Sequence, residues 1–352
     1  MPRPDPVQAL PGETEIVKAI RRKAGEAAHS GELRVGIGDD CAVLRPRAGY
    51  EICVTTDFSL EGVHFRRDWH PPQSAGHRCL ARGLSDLAAM GAEPLAVFLS
   101  LAVPADLPRR WLDGFLSGLL ALAGEYRIPL AGGDTAQSPA PSLRHEGLVA
   151  ADIVAIGQLP HGRARLRSAA RAGDVLYVTG ALGGAAAELL LLRSRPAKYR
   201  RLPQTELDHP HLYPQPRVAV GRKLLRVARA MIDISDGLST DLTHLCQESD
   251  LGAVIDEAAL PIHALARQLS KSTADALQLA LHGGEDYELL FTASPSTRIP
   301  ARVADVPVHR IGMMRSLTGR LPLIVLKTPS GRKAPLGPGG WEHFRSVRNR
   351  ST

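Results

Sequence analysis

Aromatic residues are scarce in this chain of 352 residues, at 4%. Few ring faces are therefore present for stacking bases, and no recognised nucleic-acid module occurs, so no nucleic-acid partner is expected. Cysteine is sparse too: Cys41, Cys53, Cys79 and Cys246 are scattered without a C-x-x-C pair or a paired His spacing, which argues against a zinc site and a disulfide framework. No apolar run approaches the ~20 residues of a membrane span, and the opening stretch MPRPDPVQALPGETE lacks the apolar core of a signal peptide. The expectation is a cytoplasmic protein without a membrane partner. Standard catalytic signatures are missing as well: no G-x-S-x-G elbow, no P-loop, and no H-E-x-x-H among 13 histidines. Gly36-Ile-Gly38 fails the dinucleotide fingerprint because Cys41 stands where the third glycine belongs.

What the chain does have is acid in small turns. GIGDD (36 to 40), TTD (55 to 57), LSD (84 to 86), GGDT (132 to 135), IDISDG (232 to 237) and GGEDYE (283 to 288) each follow an apolar run. One Asp-Gly turn is ordinary turn chemistry, but the doublets in GIGDD and IDISDG exceed what a turn needs. Carboxylates crowded into one site repel each other unless cations lie between them, and hard oxygen ligands on tight turns suit Mg²⁺. The formal net charge is +7, with arginine clustered at 163 to 171 and 193 to 201. Most of these arginines read as a solvated face, while the overall sign favours an anionic, phosphorylated small molecule.

Length and a 44% hydrophobic content fit a soluble globular protein of about two domains. Periodicity predicts helices over 13 to 29, 72 to 90, 109 to 126, 184 to 194 and 237 to 247. Strands are predicted at 51 to 57, 94 to 104, 128 to 134, 145 to 160, 174 to 180, 231 to 234, 252 to 255 and 287 to 292. The basic stretch 161 to 172 is the candidate junction, giving domains of 1 to 160 and 161 to 352, both mixed α/β. The Gly-rich turn 180 to 184 reads equally as a phosphate cradle and as a tight strand-to-helix connection.

Many carboxylates and no obvious base suit phosphoryl transfer to an acceptor that is already anionic. A phosphate oxygen needs no proton removed, and the obstacle is bringing two polyanions together, which divalent metal overcomes. An arginine near the junction could hold phosphates as a bidentate donor.

These motifs, together with GDVLYVTG (173 to 180) and GGWEHF (339 to 344), occur in an order that resembles the thiamine-monophosphate kinases, within the superfamily of aminoimidazole ribonucleotide synthetase and selenophosphate synthetase. The resemblance spans nearly the whole chain. It implies an N-terminal α/β sheet domain that dimerises, a C-terminal α/β domain, ATP bound between them, and transfer of phosphate from ATP to thiamine monophosphate in a homodimer. It implies several Mg²⁺ ions on Asp40, Thr55, Thr56, Asp57, Asp86, Asp134, Asp233 and Asp236, with Asp57, Asp134 and Asp236 carrying the metal-assisted step and no general base. ATP contacts are implied at Gly133, Asp134, Arg167 and Ser235, and substrate contacts at His64, Glu285 and Trp341. From the residues alone His64 reads equally as structural, and Trp341 also reads as an anchor for the C-terminal segment. The sequence departs from the family pattern at Gly83, where Asn is common, and at Ala136-Gln137, where Thr-Arg is common. The alternative is another ATP-using enzyme of the same superfamily acting on a different phosphorylated small molecule.

Overall fold

The computed structural model describes residues 12–27, 31–139, 147–199, 209–319 and 321–344. Two compact units emerge, one holding the chain up to Ala164 together with Leu190–Arg222, the other holding Arg165–Leu189 and the chain from Lys223 onward.

The first unit contains helix α1 (Glu13–Ala27), the short ladder of β1 (Leu33–Val35) and β2 (Val43–Leu44), and strand β3 (Tyr50–Leu60). Helix α2 (Pro72–Met90), β4 (Glu93–Val103), α3 (Arg109–Tyr126), β5 (Leu130–Gln137) and β6 (Ala150–Pro160) follow. The predicted helix 13 to 29 is met where described, and the predicted strand 145 to 160 forms only from Ala150 onward, residues 147–149 being irregular; residues 28, 29, 145 and 146 lie outside the described residues. The main sheet runs β3-β6-β4-β5, with β4 and β5 parallel and the other pairs antiparallel. Helix α2 is buried over most of its surface, including Cys79, Leu80, Leu84 and Leu87 along with the polar Ser74, His77, Arg78 and Ser85.

Helices α2 and α3 meet through glycine. A Cβ at Gly76 would fall 1.8 Å from the Phe115 carbonyl oxygen, and one at Gly118 would fall 1.9 Å from that of Gln73, so the backbones touch where any side chain would hold them apart. Gly83, the departure from the family pattern, faces β6, where an added Cβ would lie 3.0 Å from the Cβ of Ala155. The other face of the sheet is open. Strand β3 alternates, and its outward residues Ile52, Val54 and Phe58 are 44%, 62% and 59% exposed. The predicted strand 94 to 104, by contrast, is an interior strand of this sheet and mostly buried.

The second unit contains β7 (Val175–Thr179), β8 (Met231–Ile234), α7 (Leu238–Glu248), β9 (Leu251–Asp256), α8 (Ala264–Leu269), α9 (Thr273–His282) and β10 (Glu288–Ala293). The unit boundaries fall within α4 (Gly184–Ser194) and α6 (Val218–Leu224), and α5 (Pro196–Tyr199) lies in the first unit. Strands β11 (Arg302–Val303), β12 (Val306–Ser316), β13 (Ile324–Lys327) and β14 (Lys333–Pro335) complete a sheet ordered β14-β13-β9-β12-β7-β10-β8, with β11 beside β12. Its core joins Val178, Ile232 and Leu290 from the sheet to Leu238, Leu242 and Leu245 of α7. Both units are mixed α/β, as the alternation of strand and helix signals required.

Candidate functional site

In the first unit the turn after the apolar start of β3 becomes part of the strand, so period-2 alternation splits its neighbouring hydroxyls. Thr55 points toward α2, where its hydroxyl donates to the Asp86 carboxylate. Asp57 lies on that side too, 3.5 Å from the Arg82 guanidinium. Burial pushes the Asp57 carboxyl up to about 6, the charges of Asp86 and Asp152 add to the shift, and Arg82 opposes it. Thr56 takes the opposite face and donates to Asp152 at 2.8 Å. In the ladder Asp134 of β5 and Asp152 of β6 both pair with Ser100 of β4, which puts their backbones two strand spacings, about 10 Å, apart. Asp134 is exposed and its carboxylate accepts from the Thr135 amide at 2.8 Å.

Gly133 has a geometric reason to be glycine: φ is +149°, and a Cβ would fall 1.8 Å from the Leu99 carbonyl oxygen. Asp40 stands exposed in the turn before β2. His64 is half-buried; its Nδ1 accepts from the Leu60 amide at 2.9 Å, and its carbonyl accepts from Arg78 at 3.0 Å.

In the second unit Asp233 is buried at the end of β8, and Asp236 and Ser235 occupy the turn into α7. Asp241, in the first turn of α7, accepts the Asp236 amide at 3.1 Å. Its carboxyl is held well above the usual range by burial first and then by the charges of Asp233 and Asp236. The Ser235 carbonyl accepts the Glu285 amide at 2.7 Å, which ties the IDISDG and GGEDYE turns together. Glu285 and Tyr287 adopt left-handed backbone, with φ of +67° and +50°, an unfavourable conformation that the surrounding structure must enforce. Between them, Asp286 accepts the amides of Gly183 at 2.7 Å and Ala185 at 3.2 Å. Those amides open α4, so the Gly-rich turn 180 to 184 is a strand-to-helix connection capped by a carboxylate. Burial drives Asp286 up to about 7 even so.

Arg167 has an exposed side chain in a single 3₁₀ turn, and its carbonyl accepts from Ser249 at 2.6 Å. Trp341 is 44% exposed, and its amide donates to the Asp236 carbonyl at 3.0 Å. The preceding residues are fixed the same way, Gly339 to the Ser239 hydroxyl at 3.2 Å and Gly340 to the Thr240 hydroxyl at 3.1 Å.

The sequence-predicted residues therefore fall into groups: Thr55, Asp57 and Asp86 together, Thr56 and Asp134 on the opposite sheet face, and Asp233, Ser235, Asp236 and Glu285 around two joined turns. Among the described residues no group of three or more His, Cys, Asp and Glu is gathered closely enough to hold a metal ion by itself. The donor chemistry nonetheless fits a hard cation. The side chains are carboxylates and hydroxyls, and Asp57 and Asp241 each carry a penalty from neighbouring negative charge that a divalent ion would relieve. Asp152 and Asp241 were missed in the sequence. A lone acid inside the apolar run of β6, and an acid four residues past a helix-opening glycine, were the available signals.

The sequence matches two family models, AIR synthase related protein, N-terminal domain, over residues 38–159, and AIR synthase related protein, C-terminal domain, over residues 171–307. It is 38% identical to the thiamine-monophosphate kinase of Escherichia coli strain K12 over 318 residues, covering 89% of this chain and 93% of that protein. The thiamine-monophosphate kinase structure from Stenotrophomonas maltophilia K279a superposes with a TM-score of 0.75 at 35% identity, covering 93% of this chain and 99% of the other. A structure described as AaThiL complexed with AMPPCP and TMP superposes with a TM-score of 0.71 at 28% identity, covering 95% and 97%.

Proposed function

This chain belongs to the thiamine-monophosphate kinase family, and from that membership we propose that it transfers the terminal phosphoryl group of ATP to thiamine monophosphate, giving thiamine diphosphate and ADP. The alternative, another ATP-using enzyme of the superfamily, is not favoured beside 38% identity to a thiamine-monophosphate kinase over 89% of the chain. The observation that carries the chemistry is the crowding of carboxylates between β3 and α2 in the first unit and around the turn from β8 into α7 in the second, where Asp57 is pushed up to about 6 and Asp241 well above its ordinary range.

Asp40, Thr55, Thr56, Asp57, Asp86 and Asp134 in the first unit, and Asp233 and Asp236 in the second, would hold Mg²⁺. Bound there, the metal would neutralise and align donor and acceptor phosphates. The protein supplies fixed oxygens: the Thr55 hydroxyl is spent on Asp86, which orients that carboxylate, and Arg82 restrains Asp57. No general base is assigned, since the nucleophile is a phosphate oxygen ionised at neutral pH. Gly133, Asp134, Arg167 and Ser235 are assigned to the nucleotide, and His64, Glu285 and Trp341 to thiamine monophosphate. The hydrogen bond from the Glu285 amide to Ser235 supports grouping the last two motifs.

We assign the protein to the cytoplasm as a homodimer. The exposed apolar stripe of Ile52, Val54 and Phe58 supports an assembly through the first unit's sheet. Incubation with ATP, Mg²⁺ and thiamine monophosphate, followed by chromatography for thiamine diphosphate, tests the activity, with free thiamine as control. The diphosphate should form from the monophosphate and hardly any product from thiamine. Equal rates on the two acceptors would refute the mechanism without a base.

A further inference from the structure

In the second unit, α7 and the strap after Leu336 enclose a cavity of about 290 Å³, with Asp236, Thr240, His244, Gln247, Trp341 and Glu342 among its lining residues. Thr240, His244 and Gln247 recur every three or four residues and so share one face of the helix. From Thr240 to Gln247 that face rises about 10 Å. The cavity thus has two chemically different ends. Asp236, a metal-ligand candidate, marks one, and the neutral carboxamide of Gln247 the other. Trp341 lines the cavity too, and its backbone is held by the hydrogen bond from its amide to the Asp236 carbonyl. Gln247 is exposed near the end of α7, and its side chain makes no hydrogen bond among the described residues.

With Trp341 already assigned to the acceptor, we propose that Gln247, in the same cavity, is a specificity residue reading the acceptor's aminopyrimidine edge. The inference rests on the kinase activity proposed above. A carboxamide offers one donor and one acceptor in a plane, the complement of an exocyclic amine beside a ring nitrogen; Gln and Asn read adenine in the same way. The cationic thiazolium ring suits the middle of the cavity, where an indole face and the Glu342 carboxylate favour positive charge. With the rings so placed, the phosphate tail is directed to the Asp236 end.

The test is steady-state kinetics of the full-length protein and of Gln247→Ala, with thiamine monophosphate and with its analogue bearing a ring carbonyl in place of the amine. An exposed residue carries no packing role, so the variant should fold. Losing the hydrogen bonds of one neutral amide should raise KM for thiamine monophosphate about threefold to tenfold. Both kcat and KM for ATP should stay within about twofold, and the unmodified protein's preference for the amine over the carbonyl analogue should collapse. An unchanged KM with the preference intact, or a parallel rise in both Michaelis constants, would overturn the assignment of Gln247. Absence of any thiamine diphosphate from the unmodified protein would overturn the kinase reading itself, and this assignment with it.

Discussion

Acid should loosen the first unit through one histidine on α2. His77 is 2% exposed, its Nε2 donates to the Pro214 carbonyl at 2.8 Å, and the edge of its ring meets Tyr213 with centroids 5.3 Å apart. The proton therefore sits on Nε2, and Nδ1 is buried with no hydrogen-bond partner among the described residues. Protonating Nδ1 would bury a charge and an unpaired N–H, and burial lowers the group from 6.5 to about 4. Because the folded value lies below the unfolded one, the neutral imidazole's contribution is complete above pH 6.5 and is lost as pH falls toward 4. A gap of about 2.5 units corresponds to about 3 kcal/mol. Asp57 and Asp286 are raised to about 6 and about 7, so they act with the opposite sign, binding protons in the folded state first and gaining stability on acidification. The bare pH curve therefore mixes these effects, and the difference between the protein and His77→Gln isolates the histidine. Glutamine keeps a donor for Pro214 but does not titrate. Urea unfolding followed by tryptophan fluorescence, to which Trp111 buried in α3 reports on this unit, should show the stability advantage of the parent over the variant shrinking by about 3 kcal/mol from pH 7 to pH 4. A difference that stays flat across that range would refute the reasoning.

Asp57→Asn and Asp236→Asn, made separately, should each lower turnover on the order of a hundredfold or more with circular dichroism unchanged; near-normal turnover at saturating Mg²⁺ would remove that residue from the ligand set. Asp286→Ala should lower unfolding stability by about 2 kcal/mol, since the amides of Gly183 and Ala185 lose their acceptor, and calorimetry showing no loss would count against the capping role. The double change Val54→Asp and Phe58→Asp on the open face of β3 should convert a dimer to monomers in light scattering, whereas a persisting dimer would place the interface elsewhere.

Much of the scaffold could be read from the sequence because apolar runs led into acidic motifs, although only the motif after β8 is a turn, while TTD and GGDT lie within β3 and β5. The strands β12 to β14 escaped notice. In β12 the pattern VPVHRIGMMRS mixes Pro, Gly and charge, and the strand is only half-buried, so no clean alternation survives. The split of Thr55 from Thr56 was implicit in a period of 2, yet it becomes visible only once 50 to 60 is known to be one continuous strand. Asp286 belongs to GGEDYE, which reads as one of the acidic turns; its actual partners lie about a hundred residues away in the chain, a distance no local pattern spans. Asp241 lay in plain view, but its burial beside Asp233 depends on how α7 leaves the sheet.

The attachment of the C-terminal strap separates two kinds of evolutionary pressure. Gly339, Gly340 and Trp341 are held by their own amide hydrogens, on the Ser239 and Thr240 hydroxyls and the Asp236 carbonyl. Such bonds ignore side-chain identity. Position 341 can therefore be exchanged for other aromatic or aliphatic groups while the backbone keeps its course, and the glycines before it cannot, since a Cβ at Gly340 would fall 1.8 Å from the Asp236 carbonyl oxygen. On the proposed acceptor assignment, mutation at 341 would retune what the cavity wall recognises and leave the wall standing, which would make it an inexpensive place for acceptor preference to drift.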